Sequence, residues 1–215
     1  MNTPLPSPLL GNREGTPVFG HFDAPVGEIR ADQHKFRSPM GGFVTEQERN
    51  EAFRSFQFIG VVGVDMAAGC AITHTSSGMS AFAYLWVNGT FTQLRLGGRA
   101  GDTVTFAADP DNGRTELSTS RGSAIMDAGP DRKRLTVTSP DASLNLTFQD
   151  EGVLRLCTPT GPTGWTYVQK WLLYLLAGSL VAGPPRQTLK PSMRWPTTTT
   201  PPASCAQRHG GTGHV

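Results

Sequence analysis

Apolar and polar residues alternate in short runs from Arg54 to Gln169, and turn-forming residues separate these runs. A two-residue period predicts β-strands, because successive side chains of a strand point to opposite faces of its sheet. The separating segments are rich in Asp, Asn, Gly and Pro, which is typical of tight turns. We therefore predict an all-β protein of about ten short antiparallel strands, folded as a β-barrel or a strongly curved sandwich.

The segment around Asn88-Gly89 gives the clearest local prediction. Asn-Gly between two strand-like runs favours a type I′ turn, in which both central residues have positive φ. The strand before the turn is apolar on both faces, with alternating aromatic and aliphatic positions: Phe82, Tyr84 and Trp86 on one face, and Ala83, Leu85 and Val87 on the other. Both faces of such a strand need a cover, so the outer one is expected to meet a second element, domain or subunit.

The chain divides into three predicted regions. Residues 1–19 form an N-terminal extension, and residues 20–170 form the β-barrel domain. This domain includes a short helix over residues 45–53, where Thr45 at the N-cap and Glu48 at N3 form a capping box. Residues 171–215 contain no Asp or Glu and are rich in Pro and Thr, so an irregular or disordered tail is predicted. A reading-frame error in the gene is an alternative origin of this tail.

The distribution of charge and the number of cysteines limit which partners and which cellular compartment are expected. The basic excess comes from residues 171–215, which carry bases and no acids, so no nucleic-acid partner is predicted. Three widely spaced cysteines, with no recognisable secretory signal, predict a reducing, cytoplasmic location. The apolar run Trp171–Gly183 is too short to cross a bilayer as a helix, so no membrane span is predicted.

No metal or cofactor is expected from the motifs. The chain has no P-loop, no GxGxxG after a strand and no HExxH pattern. Residues 109–113 (DPDNG) resemble the start of a calcium loop, but its twelfth position would be Ser120 instead of Glu. We predict that this segment is a turn.

Four aromatic residues are candidate ligand-binding residues: Tyr84, Trp86, Trp165 and Tyr167. Their rings offer apolar area together with one polar atom, a combination found in the walls of small-molecule pockets. The Gly- and Pro-rich turn before Trp165 would place Trp165 and Tyr167 on one face of a strand. An aromatic core explains the same four residues equally well.

His74 is a fifth candidate binding residue, since it lies inside a predicted strand. With Asp65 it is also a candidate general acid or base. A hydrogen-bonded strand histidine without a chemical role is the alternative.

Two parts of the chain together resemble one protein family. The first comprises Arg54–Val61, Gly69–Ile72 and Ala81–Leu85, and the second is the motif Cys157–Lys170. They resemble the first strands and the signature of domain of unknown function 2804, which is related to two-barrel lipocalin-like proteins that include AttH-like proteins and carotenoid hydratases. The resemblance implies a lipocalin-like barrel equivalent to the N-terminal half of such a protein. It supplies no catalytic residue.

Three functions follow as hypotheses. The leading one is binding of a hydrophobic small molecule, such as a lipid or a terpenoid, in the barrel. The second is a non-catalytic half-barrel whose outer apolar face packs against a second domain or a partner, or self-associates. The third is a hydratase or lyase in which Asp65 and His74 protonate an alkene, and it requires one of the two to point into a cavity. Whether the chain is an enzyme is left open.

Overall fold

The computed structural model describes residues 17–29, 34, 36–38, 40–97, 101–160, 164–182 and 204–210. Within these residues the chain forms one helix and twelve strands. The bounds are α1 Glu46–Ala52, β1 Gly20–His21, β2 Ser55–Val62, β3 Met66–Thr75, β4 Gly78–Val87, β5 Thr90–Gly97, β6 Thr103–Thr105, β7 Gly113–Thr119, β8 Gly122–Ala128, β9 Arg132–Thr138, β10 Ala142–Thr160, β11 Gly164–Ala182 and β12 Ser204–Gly210.

The strands form one antiparallel sheet that curls on itself. Their order is β5-β4-β3-β2-β12-β11-β10-β9-β8-β7-β6, and β1 pairs with β10. Within the described residues no hydrogen-bonded ladder joins β5 to β6, so this barrel-like sheet has an open seam. The seam is narrow, since a Cβ atom added to Gly97 of β5 would lie 3.4 Å from the Leu117 side chain of β7. The predicted all-β antiparallel fold is confirmed.

The apolar core lies inside the curl because the two halves of the sheet face each other. Buried side chains of β2–β5 meet buried side chains of β7–β11 in one cluster. Examples are Ile59, Ile72, Leu117, Met126 and Leu135, which are all 2 % exposed or less. The alternation noted in the sequence produces this cluster, since every second residue of each strand points inward.

Two local predictions are confirmed in detail. Asn88 and Gly89 both have positive φ, 48° and 81°, as a type I′ turn requires. At the start of α1, the Glu48 backbone N–H donates to the Thr45 hydroxyl (3.2 Å), and the Thr45 backbone N–H donates to the Glu48 carboxylate (2.8 Å). This capping box lowers the pKa of Glu48, first through the backbone hydrogen bond and then through the Thr45 hydroxyl.

The predicted start of an irregular tail at residue 171 is wrong. Strand β11 continues to Ala182 and pairs with β10 along its whole length. Trp171 and Leu173 are buried in the core, because the inward alternation of β11 runs on through the Leu-rich segment. Strand β12 then lies between β11 and β2. Residues 183–203 and 211–215 of the predicted tail, and residues 1–16 of the predicted extension, lie outside the described residues.

Candidate functional site

One face of β11 carries large side chains with polar atoms into the interior. Four residues at every second position share this face: Trp165, Tyr167, Gln169 and Trp171. Each of them is 2 % exposed or less. Arg155 of β10 is the direct partner of Gln169 in the ladder, and it is 5 % exposed. The sheet thus holds a cationic side chain beside an amide inside the protein.

A hydrogen-bonded chain links these groups to the turn before β7. The Tyr167 hydroxyl donates to Gln169 Oε1 (2.7 Å), and Gln169 Nε2 donates to Asp111 Oδ1 (2.8 Å). Arg155 Nη2 donates to the same Asp111 oxygen at 2.6 Å, in an ion pair whose side chains are 6 % and 13 % exposed. Asp111 is held in place because its backbone N–H donates to Asp109 Oδ1 (2.8 Å). This bond confirms that residues 109–113 form a turn.

A second buried cation lies next to this chain. The Lys133 side chain is 4 % exposed, and its Nζ atom donates to the Gly129 carbonyl at 2.7 Å. The same atom lies 3.6 Å from the Asp150 carboxylate and 5.4 Å from the centre of the Trp171 ring. The ion pair and the aromatic ring both compensate for removing an ammonium group from water.

The register extends the polar region across the sheet. Gln57 of β2 and Gln169 of β11 both pair with residue 208 of the intervening β12. They therefore lie in one row on the same face, about 10 Å apart for two strand spacings. Gln57 is 4 % exposed. We call this interior region the polar band, defined by Gln57, Asp111, Arg155, Trp165, Gln169 and Trp171.

Five polar atoms of the polar band are buried and have no hydrogen-bond partner among the described residues. They are Gln57 Oε1, Asp111 Oδ2, Arg155 Nε, Trp165 Nε1 and Trp171 Nε1. Native proteins satisfy most buried polar groups, so five exceptions among the side chains of this band require an explanation. Unsatisfied groups of this kind are expected where water or a ligand binds.

A second apolar cluster covers one end of the polar band. Val26 and Phe36 of the segment before α1 pack on Cys157, Trp165 and Tyr167. His34 belongs to the same cover, with its ring edge-on to Trp165 at a centroid distance of 5.7 Å. The N-terminal segment therefore separates the Trp165 end of the band from solvent.

The five candidate binding residues lie in three places. Trp165 and Tyr167 point inward, and the former is part of the polar band. Tyr84 and Trp86 are half-buried on the opposite, outer face of the sheet. By the alternation of β3, His74 is on the inner face of the sheet, and the register places it in line with Tyr167, three strand spacings or about 14 Å away. It lies near the end of β3, however, and its side chain is exposed. It lines an open groove with Glu46 and Glu51 of α1. Ligand binding by these five residues stays a prediction.

The pairing of Asp65 with His74 is wrong. Asp65 precedes β3 and His74 is near its other end, so nine residues of extended chain, about 30 Å, separate them. Both residues are exposed. They cannot protonate one substrate together.

Buried thiols give no nucleophile at neutral pH. Cys70 and Cys157 are 0 % and 1 % exposed and unpaired. Burial raises the pKa of each thiol to about 12, so both are protonated at pH 7. Within the described part of the chain, no three His, Cys, Asp or Glu side chains are placed so that they could hold a metal ion.

The outer face of β2–β5 carries an aromatic surface, composed of Phe58, Phe82, Tyr84, Trp86 and Phe91. The rings of Phe58 and Tyr84 stack at 6.4 Å and lie over Gly69, whose added Cβ would meet both at 2.9 Å. Burial raises the pKa of Tyr84. Phe82 and Phe91 are 38 % and 61 % exposed.

Comparisons with known proteins give a distant structural likeness. No family model and no curated protein matches the chain. A crystal structure of CghA superposes with a TM-score of 0.48 and 13 % identity, covering 96 % of this chain and 56 % of that one. A crystal structure of CghA with Sch210972 gives 0.45 and 13 %, covering 94 % and 54 %. This chain therefore spans about half the length of these structures. No described helix has the length and apolar character needed to cross a membrane.

Sequence reasoning missed Asp111, Arg155 and Gln169. The alternation from Trp165 contains a signal for Gln169, since counting in twos places it inward. Asp111 and Arg155 had no such signal, because they are 44 residues apart and meet only when the sheet curls.

Proposed function

We propose that this chain binds a hydrophobic small molecule, such as a lipid or a terpenoid, in its interior beside the polar band. The observation that supports this function is the set of five unpartnered buried polar atoms in the polar band, two of which belong to the Trp165 and Trp171 rings. Small-molecule sites combine apolar walls with a few polar groups in the same way.

The energetic cost of such atoms makes an accidental origin a poor explanation. Each unsatisfied buried group costs about 1–3 kcal/mol, whereas a whole domain is stable by about 5–15 kcal/mol. Five such groups together approach that total. A ligand that reaches these atoms would supply the missing hydrogen bonds together with added apolar contact.

Native mass spectrometry of the full chain tests this function. The purified protein is incubated with a total lipid extract that contains terpenoids, passed over a desalting column and sprayed under native conditions. We expect one apolar molecule bound per chain. A spectrum that shows the bare chain and no bound molecule after this treatment would contradict the proposal.

Two variants locate the bound molecule. Gln169→Leu removes an inward polar group of β11 and should reduce occupancy. Tyr174→Phe, which removes one oxygen atom from an even-numbered position of the same strand, is the matched control and should keep full occupancy. Equal occupancy in both variants would place the molecule elsewhere.

A second candidate function is supported by the aromatic surface. Exposed phenylalanine rings on the outer face of β4 and β5 are expected where a second β-rich domain packs. We propose, as the alternative, that this chain is one half of a two-barrel protein of the family that it resembles.

Size-exclusion chromatography separates the alternatives. The second candidate expects self-association of the isolated chain through its uncovered face, which the double variant Phe82→Ser/Phe91→Ser should abolish. A monomer that unfolds cooperatively without these substitutions would argue against it.

A further inference from the structure

The described charged side chains in and beside the polar band form two ion pairs. Arg155 is paired with Asp111 at 2.6 Å, and Lys133 is paired with Asp150 at 3.6 Å. All four side chains are less than one-fifth exposed. The interior therefore has no unbalanced charge among these groups for an ionised ligand to neutralise.

The unpartnered atoms are of both hydrogen-bonding kinds. Trp165 Nε1, Trp171 Nε1 and Arg155 Nε can only donate, whereas Gln57 Oε1 and Asp111 Oδ2 accept. An ammonium group has no acceptor and leaves the indole N–H groups unsatisfied. A carboxylate has no donor and would stand as a like charge near Asp111. A hydroxyl group both donates and accepts, and a carbonyl oxygen satisfies two donors at once.

We infer that the polar group of the ligand is an uncharged oxygen function, a hydroxyl or a carbonyl, attached to an apolar body. This inference rests on the proposed function. Beside the two described ion pairs, an ionised group of either sign would meet no unpaired counter-charge among the described side chains, and an unpaired buried charge is strongly unfavourable. An uncharged oxygen satisfies the existing donors without adding a charge.

The surroundings fit an apolar body attached to such a group. The Trp165 ring belongs both to the polar band and to the apolar cluster with Val26 and Phe36. At the other end of the band, Trp171 belongs to the core cluster with Phe148 and Leu173. Trp165 and Trp171 are six residues apart on β11, about 20 Å, so a molecule whose polar group lies at either indole would have apolar side chains beside it.

A matched series of 15-carbon terpenoids tests the inference on the full chain. The four probes are farnesene, farnesol, farnesoic acid and farnesylamine, titrated at pH 7.4 by native mass spectrometry. They share one hydrocarbon body and differ in the polar group. We expect farnesol to bind about tenfold or more tightly than farnesoic acid and farnesylamine, which corresponds to a difference of about 1.4 kcal/mol or more.

A variant at one indole sharpens the test. Trp171→Phe keeps an aromatic ring but removes one donor, and should weaken farnesol binding about three- to tenfold, the value of one hydrogen bond. Farnesene has no acceptor, so its affinity should stay within about twofold of that of the unsubstituted chain. Tyr174→Phe is the control for loss of a polar atom, and circular dichroism checks that each variant is folded.

The outcomes separate the inference from the proposed function. If farnesoic acid or farnesylamine binds as tightly as farnesol, the inference is wrong and the binding function stands. The same holds if Trp171→Phe weakens farnesol and farnesene equally. If none of the four probes binds although the lipid extract yields a bound molecule, the inference fails and the binding function stands; if neither yields a bound molecule, both fail.

Discussion

The interior of this protein has two regions that are built from the same sheet but differ in the polarity of their buried side chains. At the apolar end, Leu117, Met126 and Leu135 are fully buried and make no demand for hydrogen bonds. The polar band contains one ion pair and five unpartnered polar atoms, and a second ion pair, between Lys133 and Asp150, lies beside it. Both ends arise from the same inward alternation of strand residues, so the fold alone does not require the polar side chains.

The difference indicates a division of roles. Packing at the apolar end stabilises the folded chain through the burial of hydrocarbon. Polar groups at the band cost stability, because apolar residues of similar size could pack there at least as well. A protein that keeps such groups inside is expected to use them for binding, and the following predictions test that contrast.

The largest effect is expected at the Arg155–Asp111 ion pair. Arg155→Met leaves the Asp111 carboxylate buried with Gln169 as its remaining described partner, so we expect the free energy of unfolding to fall by about 3–5 kcal/mol. Urea denaturation followed by circular dichroism measures this change.

The double variant Arg155→Met/Asp111→Leu removes both charges of the ion pair at once. It makes the band more like the apolar end, so most of the lost stability should return while farnesol binding does not. A double variant that binds farnesol as well as the unsubstituted chain would show that the ion pair has no part in the site.

A somewhat smaller effect is expected at the apolar end. Leu135→Ala removes a fully buried side chain and should lower the free energy of unfolding by about 3 kcal/mol through a cavity and lost burial. The affinity of the folded variant for farnesol, measured by native mass spectrometry, should not change. A parallel loss of affinity would mean that the two ends are coupled.

The smallest effect is expected at the two buried cysteines, Cys70 and Cys157, which lie in different clusters. Cys70 belongs to the apolar core and Cys157 to the cluster that covers the polar band. We expect a thiol reagent at pH 8 to label Cys157 faster, because the cover consists of few elements and opens more easily. Saturating farnesol should slow labelling of Cys157 and leave Cys70 unchanged; peptide mass spectrometry identifies each site.

The same thiols predict the direction of an alkaline effect. Burial raises their pKa from the ordinary 9.0 to about 12, so above pH 9 the unfolded chain loses protons that the folded chain retains. Below pH 9 the thiols are protonated in both states and their effect on stability does not change with pH. The free energy of unfolding then falls as the pH rises from about 9 to about 12. Replacing both residues by Ala should reduce this slope in a series of urea titrations.

Short-range signals in the sequence predicted much of the fold. Asn88-Gly89 and the Thr45–Glu48 box form as expected because a few neighbouring residues determine each of them. The inward placement of Trp165 and Tyr167 likewise follows from counting along one strand. The end of the domain was misplaced at 170, since the Leu-rich segment after it gave no turn signal and its missing acids suggested a tail.

The polar band could not be predicted, because it depends on contacts between distant parts of the chain. Arg155 looks like an ordinary charged strand residue until its partner Asp111 is known. Gln57 joins the band only through β12, which the sequence had placed in an irregular region. Register and curvature, which bring these residues together, are not encoded in any local pattern.

The open seam between β5 and β6 has a consequence for access to the interior. Elsewhere in the sheet, widening a gap between neighbouring strands would break a ladder of hydrogen bonds, but the described strands at the seam share none. The described strands β5 and β6 can therefore separate without breaking a hydrogen-bonded ladder between them. If the proposed function is correct, a hydrophobic ligand would enter and leave at this seam while the rest of the sheet stays folded.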